Sequence, residues 1–239
     1  GYGMTPEKLV ERLKQDIGSI LKSVVLYGSA AAGDHMGKRS DYNVMVITER
    51  LDMPDLKAMA RTAAAWSKGG NPPPLLLTID RLRQSVDVFP IELMDIRACH
   101  KVLYGDDVFA DIAITSANLR LELEHELRGK LIQLRERYLI TGGKSKGIAE
   151  VMVQSWSTYL VLFRAVLRLF QDDVPLKKMD ALEALTQYIV FDRDVFRILQ
   201  DVKEGTRKIR GADVDHLFHR YVQAVEAVVD AVDAYGKKV

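Results

Sequence analysis

The chain has 239 residues, 48% of them hydrophobic, and 34 basic against 33 acidic side chains leave a formal net charge of +1. That length and apolar content suffice for one large domain or two modest ones. Neither charge sign forms a long block, which argues against nucleic acid or an anionic membrane surface as a partner. The most apolar stretch, Tyr159 to Phe170, is interrupted by Arg164 and Arg168 and falls short of the roughly 20 apolar residues that a membrane-spanning helix needs. The single cysteine, Cys99, has no partner for an internal disulfide. With no basic-then-apolar leader visible, this fits a cytoplasmic chain.

Thr5-Pro6-Glu7 is a helix start: Thr5 can cap, Pro6 suits the first helical position, and Glu7 suits the positive end of the dipole. Leu9, Val10, Leu13, Ile17, Ile20 and Leu21 then recur at helical spacing, which carries the helix to about Ser23. Val24 to Tyr27 reads as a buried strand stopped by Gly28, and Tyr42 to Ile47 as a second strand. Pro54 opens a helix to about Lys68, and Gly69 to Pro74 must be a loop. Leu75 to Thr78 reads as a third strand, Arg81 to Val86 as a short helix, and Phe89 to Ile96 as a fourth strand with Pro90 at its start or edge. Beyond Asp107 only helical stripes appear. Leu119, Leu123, Leu127, Leu131, Leu134 and Tyr138 form one, Trp156, Leu160, Phe163, Leu167 and Phe170 another, and Phe218, Tyr221, Val225, Val228, Val232 and Tyr235 a third. At least two shorter helices fit between Pro175 and Val202. The fold class expected is therefore α/β (α+β), a small mixed sheet with helices in residues 1–112, followed by an all-helical bundle in 113–239.

The chemistry concentrates in Gly28-Ser29-Ala30-Ala31-Ala32-Gly33, a short loop, and then Ser40-Asp41-Tyr42-Asn43. Gly28 and its small neighbours let backbone approach a phosphate, and a helix starting at Ser29 would aim free N–H groups at that anion. Lys38 and Arg39 lie in the same loop, within the motif, as candidate triphosphate contacts. Strand alternation sets Asp41, Asn43, Met45 and Ile47 on one face. Glu92 supplies a third acidic position, since a charge amid an apolar strand needs a partner such as a metal ion. His216 and His219, near Asp213 and Asp215, read as exposed helix residues beside capping aspartates.

Gly-Ser, a loop, an Asp at the start of the next strand and a later carboxylate together resemble the polymerase-β-like nucleotidyltransferase superfamily, in particular its aminoglycoside nucleotidyltransferases, which also append a helical domain. The resemblance implies Gly28 and Ser29 as phosphate-binding residues, and Asp41, Asn43 and Glu92 as the magnesium ligands. It makes Asp41 and Glu92 catalytic, with Glu92 helping to deprotonate an acceptor hydroxyl. Asn43 stands where the second carboxylate belongs. A charge at about 4 Å is worth about 4 kcal/mol at an effective dielectric near 20, and losing about 3 kcal/mol from a transition state slows chemistry roughly a hundredfold. Magnesium is thus expected to bind weakly, or as a single ion.

Two functions follow. The first is an enzyme that transfers a nucleoside monophosphate from a nucleoside triphosphate to a hydroxyl of a small molecule or protein, with the acceptor in the cleft between the domains. The alternative is a catalytically inactive nucleotide-binding or partner-binding protein on the same fold. A homodimer through an exposed apolar helix face is a third use of the helical domain.

Overall fold

The computed structural model describes residues 3–28, 30–31 and 42–237. The chain divides into two compact units, Gly1–Ile114 and Thr115–Val239. No helix among the described residues is long and apolar enough to cross a membrane.

In the first unit, helix α1 (Pro6–Ile17) begins as its sequence dictates, with the Thr5 side chain accepting from Lys8 N–H. It ends at Ile17, six residues before the expected end near Ser23, because Gly18 leaves the helix at φ 57°. The released residues extend the first strand, β1 (Leu21–Tyr27). Strand β2 (Asn43–Thr48), helix α2 (Met53–Lys68), strand β3 (Leu75–Thr78) and the short helix α3 (Ile79–Ser85) follow as expected.

The expected fourth strand at Phe89–Ile96 is a helix, α4 (Pro90–Ala98). Its signals match those at the start of α1: proline in the first turn, an acid (Glu92) behind it and a base (Arg97) in the last turn. Buried Pro90, Leu93 and Ile96 repeat every third residue, a helical stripe that short alternation mimics. The true fourth strand is β4 (His100–Gly105).

The sheet order is β3-β2-β1-β4, with β1 antiparallel to both neighbours and β2 parallel to β3. One face, carrying Val24, Leu26, Val44 and Val46, packs on Leu9, Leu13 and Ile17 of α1 and on Met59 and Trp66 of α2. The other face, carrying Val25, Met45 and Ile47, packs on Leu82 of α3, Leu93 and Ile96 of α4, and Phe109. Cover on both faces explains why β1 and β2 read as continuous apolar runs. Each such side chain contributes about 1.5–3 kcal/mol on burial.

The second unit is helical: α5 (Ser116–Ile140), α6 (Ser145–Leu167), α7 (Lys178–Leu185), α8 (Asp194–Glu204) and α9 (Val214–Gly236). The three stripes read from the sequence are buried here except for the half-buried Tyr138, Phe170 and Tyr235, and Tyr159, Phe163, Phe196 and Tyr221 cluster with centroids 5.3–6.2 Å apart, three of the four contacts edge-to-face and Tyr159–Phe163 tilted. Burial pushes the Tyr159 and Tyr221 phenols above their ordinary range. His216 and His219 are exposed, as expected, but Asp213 makes no side-chain cap and pairs with Arg210 instead.

Candidate functional site

The antiparallel ladders pair Tyr27 of β1 with Asn43 of β2 on one side and with His100 of β4 on the other. Directly paired residues point to the same face. Tyr27, Asn43 and His100 therefore line one end of the sheet on the face that also carries Val25, Met45 and Ile47. Burial raises the Tyr27 phenol above its usual range.

Gly28 follows at φ 81°, a left-handed conformation that glycine adopts without a steric penalty. A Cβ there would lie 3.2 Å from Asn43 Nδ2, so the Asn43 amide sits directly over the bend. The Gly28 N–H donates to the Cys99 carbonyl at 3.3 Å, and the Gly28 carbonyl accepts from Ala31 N–H at 3.1 Å and from the Cys99 thiol at 3.4 Å. The Gly28 amide is thus committed within the protein. What this glycine offers a ligand is space, and Asn43 supplies the N–H donors.

The start of β2 is fixed from the loop before β3. Asn71, 9% exposed, accepts from Tyr42 N–H at 3.1 Å and donates to the Trp66 carbonyl at 3.4 Å. Trp66 Nε1 donates to Pro72 O at 3.0 Å, and the Tyr42 and Trp66 rings lie 6.2 Å apart.

On the β4 side, each nitrogen of His100 faces an acceptor. Nδ1 lies 2.8 Å from Arg97 O, and Nε2 lies 3.0 and 3.1 Å from the Asp107 carboxylate oxygens. An imidazolium satisfies both contacts with its two N–H groups, whereas a neutral ring satisfies one. The ring packs on Phe109 at 5.0 Å. Burial works to raise the Asp107 carboxyl, but hydrogen bonds from His100 and from Phe109 N–H outweigh it and hold it below the usual carboxylate range.

Of the residues singled out in the sequence, Gly28 and Asn43 are brought together. Ser29, Lys38, Arg39 and Asp41 lie outside the described residues. Glu92 does not stand on the expected fourth strand; it is an exposed residue in the first turn of α4. Neither β3 nor β4 contains an aspartate or glutamate. No cluster of three or more metal-ligating side chains occurs among the described residues. Sequence reasoning missed Tyr27, Asn71 and His100. The signal for His100 was the apolar alternation of Val102 and Tyr104 behind it, masked by the stronger run at Phe89–Ile96.

No family model matches the chain, and no curated protein sequence matches it. Among solved structures it is similar to spectinomycin adenyltransferase AAD(9) from Enterococcus faecialis, solved with ATP and spectinomycin. The TM-score is 0.53 at 12% identity, covering 96% of this chain and 100% of that one. The two chains share a fold. At this identity the likeness speaks for the architecture, a small mixed sheet followed by helices, and leaves the chemistry to the residues above.

Proposed function

We propose that this chain binds nucleoside triphosphate on a nucleotidyltransferase fold without requiring magnesium, and that nucleotidyl transfer is reduced or lost. The observation that carries this reading is the Asn43 amide over the Gly28 bend, on a sheet whose strands β3 and β4 contribute no carboxylate. Magnesium takes carboxylate oxygens in a near-octahedral shell. The described residues offer a neutral amide in their place, which does not fit that ion. Without a dication, a carboxylate at position 43 would repel the triphosphate by about 1 to 4 kcal/mol at 4 Å, depending on solvent exposure. Asparagine removes that repulsion and adds donor N–H groups for phosphate oxygens.

Calorimetric titration with ATP in EDTA and in magnesium tests the proposal. Comparable affinity in both buffers is expected. Asn43→Asp should weaken binding in EDTA about tenfold, equivalent to about 1.4 kcal/mol, and magnesium should restore it. Binding seen only with magnesium, or no binding by the folded protein, defeats the reading.

A second reading is favoured by the likeness to an adenyltransferase solved with ATP and spectinomycin. Under it, the chain transfers a nucleoside monophosphate to a hydroxyl of a small-molecule or protein acceptor, with Asp41 as the acidic residue and Lys38 and Arg39 on the triphosphate. Acceptor-dependent release of pyrophosphate by the natural protein would select this reading over the first.

A further inference from the structure

The helical unit contains a cavity of about 640 Å³ between the N-terminal half of α6, the end of α8 and the segment that leads into α9. That volume lies within the range of small-ligand pockets. Its floor is apolar: Ala149 and Val153 stand one turn apart on α6, beside Val202, Ile209 and Val214. All but Val214 are only half-buried, so this apolar surface is left partly uncovered by the bundle. Its rim carries Lys146, Arg207 and Lys208, opposed by a single acid, Glu150. These cations are exposed and form no ion pair among the described residues, whereas the neighbouring Arg210 is paired with Asp213.

The segment bearing Arg207 and Lys208 is fastened at both ends. Thr206 donates its N–H and its hydroxyl to Asp201 O at 3.0 and 3.1 Å. At the other end the Ser145 hydroxyl donates to Gly211 O at 3.3 Å. Two adjacent cations are thereby held over an apolar floor, and Glu150 is the one acid on a rim with three cations, none of them ion-paired among the described residues. Like charges so placed repel, and an anion that also covers the floor relieves both costs.

We infer that this cavity is a binding site for an amphiphilic organic anion, an apolar body carrying one carboxylate or phosphate head group. The body lies on Ala149, Val153, Val202 and Ile209, and the head group pairs with Lys146, Arg207 and Lys208. All of these residues lie in the helical unit, whereas Gly28 and Asn43 lie in the first unit.

The test is calorimetric titration of the full chain with octyl phosphate, octanoate, octanol and inorganic phosphate. Saturable binding of an octyl anion is expected, with octyl phosphate the tighter if the head group is a phosphate and octanoate if it is a carboxylate. Octanol and inorganic phosphate should each bind at least tenfold more weakly. The exposed double variant Arg207→Gln/Lys208→Gln should weaken the octyl anions about tenfold, leave octanol unchanged and leave ATP binding unchanged. Val153→Trp should block both octyl anions while its circular dichroism stays that of the natural protein; should it misfold, the double variant alone decides. The inference is overturned if neither octyl anion saturates, if octanol or inorganic phosphate binds as tightly, or if the double variant binds like the natural protein.

Discussion

Alanine at Gly105 should cost the first unit far more stability than alanine at Gly28, although the two glycines share nearly the same backbone angle. Their φ values are 76° and 81°, so the penalty for an L-residue in the left-handed region, about 1–2 kcal/mol, is common to both and cancels in the comparison. What differs is the neighbour. At Gly28 the added Cβ meets the Asn43 amide nitrogen at 3.2 Å, the end of a side chain that can rotate aside. The total should stay at about 1–2 kcal/mol. At Gly105 the Cβ would stand 1.9 Å from Lys22 O and 2.9 Å from Lys22 C, backbone atoms of β1 next to the Ser23–Gly105 pair. No rotamer relieves that clash; β4 must separate from β1. A cost of about 4 kcal/mol or more is expected, a size reached only by a few named mechanisms and comparable with the whole stability of many domains. Urea denaturation followed through Trp66, fully buried in this unit, measures both variants, with far-ultraviolet circular dichroism as a second probe. Equal midpoints for the two variants would refute the reasoning, because the steric difference would then count for nothing.

Two further outcomes are expected. Asn71→Ala removes the acceptor for Tyr42 N–H and the donor to Trp66 O, and should destabilise the first unit by about 1–3 kcal/mol; an unchanged denaturation midpoint would show that β2 needs no such anchor. In the second unit, the Arg220 guanidinium, 2.7 Å from Asp192, holds the Asp192 carboxyl below its ordinary range; burial opposes this and the N–H groups of Val195 and Asp194 add to it. A carboxyl lowered by folding stabilises wherever it is ionised, above its unfolded value near 3.8, and that contribution is lost as pH falls through the folded value. The pair is a third exposed, so about 1 kcal/mol is expected at neutral pH. Asp192→Asn should lower stability by that amount at pH 7 and show a shallower loss below about pH 4; parallel pH profiles for the two proteins would contradict it.

How far the site could be read without coordinates depended on how local its signals were. Gly28 after Val24–Tyr27 announced a strand stopped by a turn, and Asn43 marked a polar start to the next apolar run. The mistaken strand at Phe89–Ile96 shows the limit. In a segment this short, apolar spacing of two and of three overlap, and only the cover that Leu93 and Ile96 give to Val25, Met45 and Ile47 decides between them. Glu92 moved with that segment, from a strand to an exposed helix turn.

From its order of residues alone, the chain determined its class: apolar runs for strands covered on both faces, leucine and aromatic stripes for a helical second half, and a glycine bend beside a polar strand start. Those are short-range properties, set by side-chain period and by backbone sterics within a few residues. Tertiary structure decided which strand became the sheet's fourth member. It also set His100 and Asn43 on either side of Tyr27, and left three cations over an uncovered apolar floor in the helical unit. Pairings across many residues depend on the register and packing of whole elements, and no local pattern of side chains encodes them.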